Sequence, residues 1–241
     1  MSTQMRPPTP LAAVLAAALA VPAAAAAAAP PPLPADGGTL TARVVVEGWA
    51  RAAPERTATP VVWVERRTAF SRRPQALLVT GLRRDRRGTG WVRVQLPIRP
   101  DGSQGWVPAR SVRLGVVRLR VVVRRSARRL EVWRGPHRLH AWTAGVGRPG
   151  TPTPLGRFAV QDDMRTLPGW RGLYGSHTIP LTAHSSVLQT FMGGDGLVAV
   201  HGGSLGRVGR PASNGCVILA PGPLRTLARL VGPGTPVVVL P

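Results

Sequence analysis

The 241-residue sequence has a single cysteine, so no disulfide within the chain can staple it. It has no lysine: all its basic side chains are arginines. Lys plus Arg total 32 against 10 Asp plus Glu, a formal charge of +22. Compact Cys-x-x-Cys or His-x-x-x-His pairs are absent, which removes the usual sequence sign of a zinc site. Aromatic residues make up 5%, with one tyrosine, and no nucleic-acid motif organises the arginines. Beyond the first 29 residues no apolar run is long enough to span a bilayer.

What is present points to β structure. Glycine (28) and proline (26) are plentiful, and short β-like runs alternate with turn-rich pieces. Residues 1–29 read as a signal peptide: Arg6, an apolar stretch, then an Ala-rich tract ending at Ala29. A retained membrane anchor is the alternative. Residues 30–38 are a Pro-rich linker. An exported protein with this charge is expected to meet anionic cell-envelope polymers and not nucleic acid.

Two domains are expected, at 39–115 and 116–241. In the first, Trp91-Val92-Arg93-Val94-Gln95-Leu96 alternates as a half-buried strand does, and Asp101-Gly102 marks the following turn. Trp91 and Trp106 are either core residues or binding aromatics. In the second, strands are expected near 118–122, 129–133, 138–145 and 197–200. Residues 161–190 read as an irregular substrate-facing wall. A helix over 223–231 presents Leu224, Leu227 and Leu230 on one face and ends at Gly232, and a last strand covers 235–240.

The chemistry concentrates between His201 and Cys216. The run Leu197-Val198-Ala199-Val200 delivers His201 to a strand end, and Ser213-Asn214-Gly215-Cys216 closes a Gly-rich loop. A lone cysteine in an exported chain is exposed to oxidation, and nucleophilic chemistry is a reason to keep it. A nearby imidazole would take the thiol proton or hold a thiolate–imidazolium pair. The glycine allows a tight turn, so that the N–H groups of Gly215 and Cys216 would meet an oxyanion. Two other interpretations stand beside this one. Cys216 could be a small buried hydrophobe before Val217-Ile218, and His177, His184, His201 and Cys216 could form a zinc set.

His201-Gly202 followed by Ser213-Asn214-Gly215-Cys216-Val217 resembles the signature of the L,D-transpeptidase (YkuD) family. Upstream, Gly145-Val146-Gly147 followed by Thr151-Pro152-Thr153-Pro154-Leu155-Gly156-Arg157-Phe158 resembles the family's G…TPxGxF segment. The resemblance implies a mainly β fold, with an L,D-transpeptidase-type β-sandwich over residues 116–241. It implies acyl transfer on peptidoglycan stem peptides, with no cofactor and no metal. Cys216 would be the nucleophile and His201 the base, oriented by a carbonyl of Gly202 or Ser213. Gly215 and Cys216 would supply the oxyanion donors, and Tyr174, His184 and Asn214 would contact substrate. L,D-carboxypeptidase activity, or a wall-binding protein with a decayed site, are the alternatives. The family usually has Arg or Asn where this chain has Ile218. Residues 39–115 resemble bacterial SH3-like domains. Since every motif residue lies beyond 116, the first domain is expected to be dispensable for the chemistry.

Overall fold

A computed structural model describes residues 38–241. The expected leader and nearly all of the Pro-rich linker lie outside the described residues. Among those described, no helix is long and apolar enough to cross a membrane.

The first half is one antiparallel sheet of seven strands: β1 (Thr39–Val44), β2 (Gly48–Arg51), β3 (Pro60–Val64), β4 (Ala76–Arg84), β5 (Gly90–Gln95), β6 (Gln104–Pro108) and β7 (Val112–Val117). They lie side by side in the order β3-β2-β6-β5-β4-β1-β7. Alternation in β5 buries Val92 and Val94, which join Ala42, Leu77, Leu96 and Val107 in a separate core. Trp91 is a core residue: it is buried, and its indole N–H donates to Asp85 (3.1 Å). Trp106 is half-buried, with the Arg93 guanidinium 6.0 Å from its ring.

At Arg118 the chain passes to a second core. A five-stranded sheet contains β8 (Leu119–Arg124), β9 (Arg129–Arg134), β10 (His137–Thr143), β12 (Gly156–Ala159) and β18 (Pro236–Leu240), ordered β10-β9-β8-β18-β12. Between them in sequence, β11 (Val146–Gly147) pairs in parallel with β16 (Pro211–Ser213). A four-stranded sheet, β13-β14-β15-β17, is built from Met164–Arg165, His177–His184, Leu197–His201 and Val217–Ile218 in turn. Val121, Val123, Leu130, Val132 and Val237 of the larger sheet share a core with Ile179, Leu181, Val198, Val200 and Val217 of the smaller. The protein is therefore mainly β, and its second half is a sandwich of two sheets over one apolar core.

Two expectations change. Residues 161–190 are not irregular throughout, because His177–His184 is a strand whose last six residues are all buried. With both faces covered, its apolar residues Ile179, Leu181 and Ala183 are matched by buried polar ones and Pro180. The alternation of Ile179, Leu181 and Ala183 with Thr178, Thr182 and His184 is present in the sequence, but Pro180 in its middle argues against a strand. The expected C-terminal helix runs Pro221–Leu230, starting two residues early with proline in its first turn, and its C-cap is Val231 rather than Gly232. Leu224 and Leu227 are its buried residues. Leu224→Ala should cost about 2–5 kcal/mol of unfolding free energy, measured by chemical denaturation, because it empties a fully buried site.

Candidate active site

The site forms where β15 ends. β15 and β17 pair in parallel, with Val200 opposite Val217 and His201 opposite Ile218. Cys216, one residue before β17, is thereby level with Ala199, whose N–H donates to its Sγ at 3.5 Å. The 14 residues between His201 and Cys216 thus return the cysteine to the strand that carries the histidine.

His201 is buried, and its Nδ1 donates to the carbonyl of Gly202 at 2.7 Å. That bond fixes the neutral tautomer, so Nε2 keeps the lone pair a base requires. Of the two carbonyls expected to orient the ring, it is Gly202 that does so. The Ser213 carbonyl instead accepts from Arg148 N–H (3.0 Å) and Thr151 Oγ1 (3.2 Å). Gly202 is required by close approach: a Cβ there would lie 3.0 Å from Gly175 Cα and 3.1 Å from Leu224 Cδ2. The Gly202 N–H donates to the Tyr174 carbonyl (2.7 Å), which holds the Tyr174 ring edge-on to His201 with centroids 4.9 Å apart.

Ser213 holds the loop that leads into Cys216. Its hydroxyl donates to the Cys216 carbonyl (2.6 Å) and accepts from Gly215 N–H (3.2 Å). Of the two N–H groups expected to meet an oxyanion, that of Gly215 is thus engaged inside the loop. Gly215 has φ 114°, a conformation that disfavours any side chain. Asn214 is half-buried on the same turn.

Burial pushes the Cys216 thiol up, against a smaller lowering by the Ala199 N–H. Burial also brings His201 down to about 4, opposed by the Gly202 carbonyl and assisted by the charge of Arg207. The two shifts point the same way: burial disfavours both the thiolate and the imidazolium, which favours a neutral thiol and a neutral imidazole over a thiolate–imidazolium pair. Burial, then the negative charge that Cys216 carries when ionised, raises the Tyr174 hydroxyl, which places that phenol near the sulfur.

The remaining expected residues do not converge on the thiol. His177 contacts Ser176 Oγ through Nδ1 (3.0 Å). His184 is buried, with Nδ1 2.9 Å from Asp101 and Nε2 3.3 Å from Asp195. Among the described residues no three His, Cys, Asp or Glu side chains are grouped so as to hold a metal ion, so the four residues of the zinc alternative are not assembled. Ile218 is buried, and its backbone exchanges hydrogen bonds with Gly145 (2.9 and 2.8 Å). Of Arg207, Arg210 and Arg225, basic residues near Ile218 in sequence, only Arg207 exerts its charge on His201, while Arg225 acts on His177. Sequence reasoning missed Met192, whose sulfur is 3.5 Å from the Tyr174 hydroxyl. It lies in a segment with no periodic or motif signal.

Residues 118–239 match the family model described as YkuD, L,D-transpeptidase catalytic domain. Similar solved structures include an L,D-transpeptidase from Mycobacterium smegmatis, 20% identical, covering 63% of this chain and 90% of that one (TM-score 0.42). L,D-transpeptidase 3 from Mycobacterium tuberculosis, in complex with a faropenem-derived adduct, is 18% identical over 64% of this chain and 91% of that one (0.41). The C442S mutant of an Enterococcus faecium L,D-transpeptidase is 20% identical over 52% of this chain and 50% of that one (0.38). No curated protein matches this chain.

The lowered His201 value sets a pH window for stability. The folded state resists protonation of this ring between pH 6.5 and about 4, while the unfolded chain binds the proton. Stability therefore falls as pH drops through that window, by about 3 kcal/mol from this residue. His201→Asn, which keeps a donor for the Gly202 carbonyl, should flatten that part of the curve of unfolding free energy against pH.

Proposed function

Because this chain belongs to the L,D-transpeptidase (YkuD) family, we propose that it is exported and forms peptidoglycan cross-links by cysteine acyl transfer from stem tetrapeptides. The observation that carries this is the His201 Nδ1–Gly202 carbonyl bond. It leaves a neutral imidazole with a free Nε2, on the strand whose Ala199 N–H touches the Cys216 sulfur.

The steps follow from a neutral pair. Cys216 Sγ attacks the carbonyl of the third stem residue while His201 Nε2 takes the thiol proton. The carbonyl oxygen becomes an oxyanion, met by the Cys216 N–H. Collapse breaks the bond to the terminal D-alanine, whose nitrogen takes the proton from His201 and leaves as the amine. The acyl group is now a thioester on Cys216. An amine of a neighbouring stem attacks it, gives its proton to His201, and the sulfur recovers that proton as the cross-link departs. If water takes the amine's place the same site is an L,D-carboxypeptidase. The assembled Cys216, His201 and Ser213 contacts favour a working enzyme over a decayed one. Wall affinity is assigned to the first domain, read as SH3-like, on the strength of its exposed edge-to-face pair Trp49 and Trp63 (5.7 Å). The net charge of +22 suits anionic envelope polymers.

Cys216→Ala should abolish D-alanine release from tetrapeptide while circular dichroism stays unchanged. His201→Asn should slow release on the order of 10²–10⁴-fold. Turnover that survives Cys216→Ala refutes the proposal, and the ratio of cross-linked dimer to free tripeptide separates transfer from hydrolysis.

Arg207 is assigned the compensating charge for the residue replaced by Ile218. Arg207→Ala should slow acylation by faropenem and move the acid limb of its pH profile upward, since a charge that lowers His201 is lost. Ile218→Arg should also slow it, because the larger side chain enters a buried position beside Gly145. A faster Ile218→Arg enzyme contradicts this assignment.

A further inference from the structure

Two segments wall the site, and both are tied to the first domain. The first wall, residues 162–176, carries Trp170 and Tyr174. At its start Asp162, fully buried, accepts from the N–H groups of Phe70 (3.0 Å) and Ser71 (2.9 Å) and from the Ser71 hydroxyl. Next to it Asp163 pairs with Arg73. The second wall, residues 184–196, is a loop closed at its neck by Ser185 N–H to the Gly196 carbonyl (2.8 Å). At its tip Phe191 and Gly194 exchange two hydrogen bonds of 2.9 Å.

The loop's interior is held by one guanidinium from the other domain. Arg99 donates to the carbonyls of Ser185 (2.9 Å), Leu188 (2.8 Å) and Asp195 (2.7 and 3.2 Å). A side chain on Gly196 would meet the guanidinium at 2.7 Å, so that glycine is what admits it. Two residues on, Asp101 accepts from His184 N–H (2.9 and 3.0 Å) and faces its Nδ1 (2.9 Å), while the loop's own Asp195 faces Nε2. The two walls then meet at Met192 and Tyr174, and Tyr174 leans on His201.

We propose that the first domain is a working part of the active site: Arg99 and Asp101 are positioning residues that hold the 184–196 wall, through Met192 and Tyr174, against His201. This rests on the acyl-transfer function proposed above, and it revises the expectation that the first domain is dispensable for chemistry. A guanidinium shared among three carbonyls fixes a loop that lacks a strand partner of its own, and losing it releases all of them together. The substrate then meets a mobile wall, while the thiol and imidazole, set by the β15–β17 pairing, are unmoved.

The test uses the full chain carrying Arg99→Ala, Arg99→Lys or Asp101→Asn, with Arg86→Ala as a surface control. Three quantities are read: amide hydrogen exchange, alkylation of Cys216 by iodoacetamide, and kcat and KM for tetrapeptide with acylation by faropenem alongside. In Arg99→Ala, exchange in 185–196 should rise on the order of tenfold or more and spread to 170–176. KM should rise about tenfold, with alkylation changed by less than about twofold. Arg99→Lys should recover only part of the loss, because an ammonium cannot reproduce the planar fork, and Asp101→Asn should loosen the same loop. Exchange confined to 185–196, unchanged KM in a loosened loop, or alkylation falling in step with acylation would each overturn the inference. A wild type inert towards both tetrapeptide and faropenem would sink the proposed function instead. The inference would then be decided by exchange alone, upheld if the loss spreads to 170–176 and rejected if it does not.

Discussion

The parallel pairing of β15 with β17 is the constraint on which the catalytic end of the protein depends. It brings His201 and Cys216, 15 positions apart in the chain, onto neighbouring strands. Most of the surrounding contacts serve to keep that register. Gly145 brackets Ile218 with two backbone bonds, Leu219 N–H donates to the His201 carbonyl, and the Ser213 hydroxyl closes the turn before the cysteine. Val198, Val200, Val217 and Leu219 anchor both strands in the sandwich core. The apolar core thus fixes the strand pair that carries His201 and receives the chain from Cys216.

Burial also disfavours charge on both groups. A thiolate–imidazolium pair would need two ions in a site that disfavours both, since the thiol is pushed up and the imidazole down. The site is better suited to transferring a proton during attack than to storing separated charge. Arg207 reinforces this by disfavouring the imidazolium, in a loop otherwise open to solvent.

Much of this was legible in the sequence, for definite reasons. His201, Gly202, Ser213, Gly215 and Cys216 fall in one short window whose residue types are specific to the chemistry, and the mainly β fold follows from the short alternating runs. The strand His177–His184 was passed over although Ile179, Leu181 and Ala183 alternate with Thr178, Thr182 and His184, because Pro180 interrupts the run. The charge state of the pair was left open because it depends on burial, which no local pattern encodes. Gly215 was assigned to the oxyanion because a glycine turn can aim two N–H groups outward; only the placement of the Ser213 hydroxyl reveals that one of them is taken. Arg99 and Asp101 act on residues 83 to 96 positions away and sit in an ordinary turn, so nothing around them in sequence marks their role. His184 was expected at the substrate because it falls within 161–190, read as a substrate-facing wall; its ring lies between Asp101 and Asp195.

The central claim is that the Cys216 thiol forms a thioester with the stem peptide. Rapid quench of the full-length protein with stem tetrapeptide, followed by intact-mass measurement and peptide mapping, tests it directly. The account predicts a transient mass increase equal to the tetrapeptide less D-alanine, located on the peptide bearing Cys216 and sensitive to hydroxylamine. D-Alanine release without any such adduct, or an adduct on another residue, would contradict it.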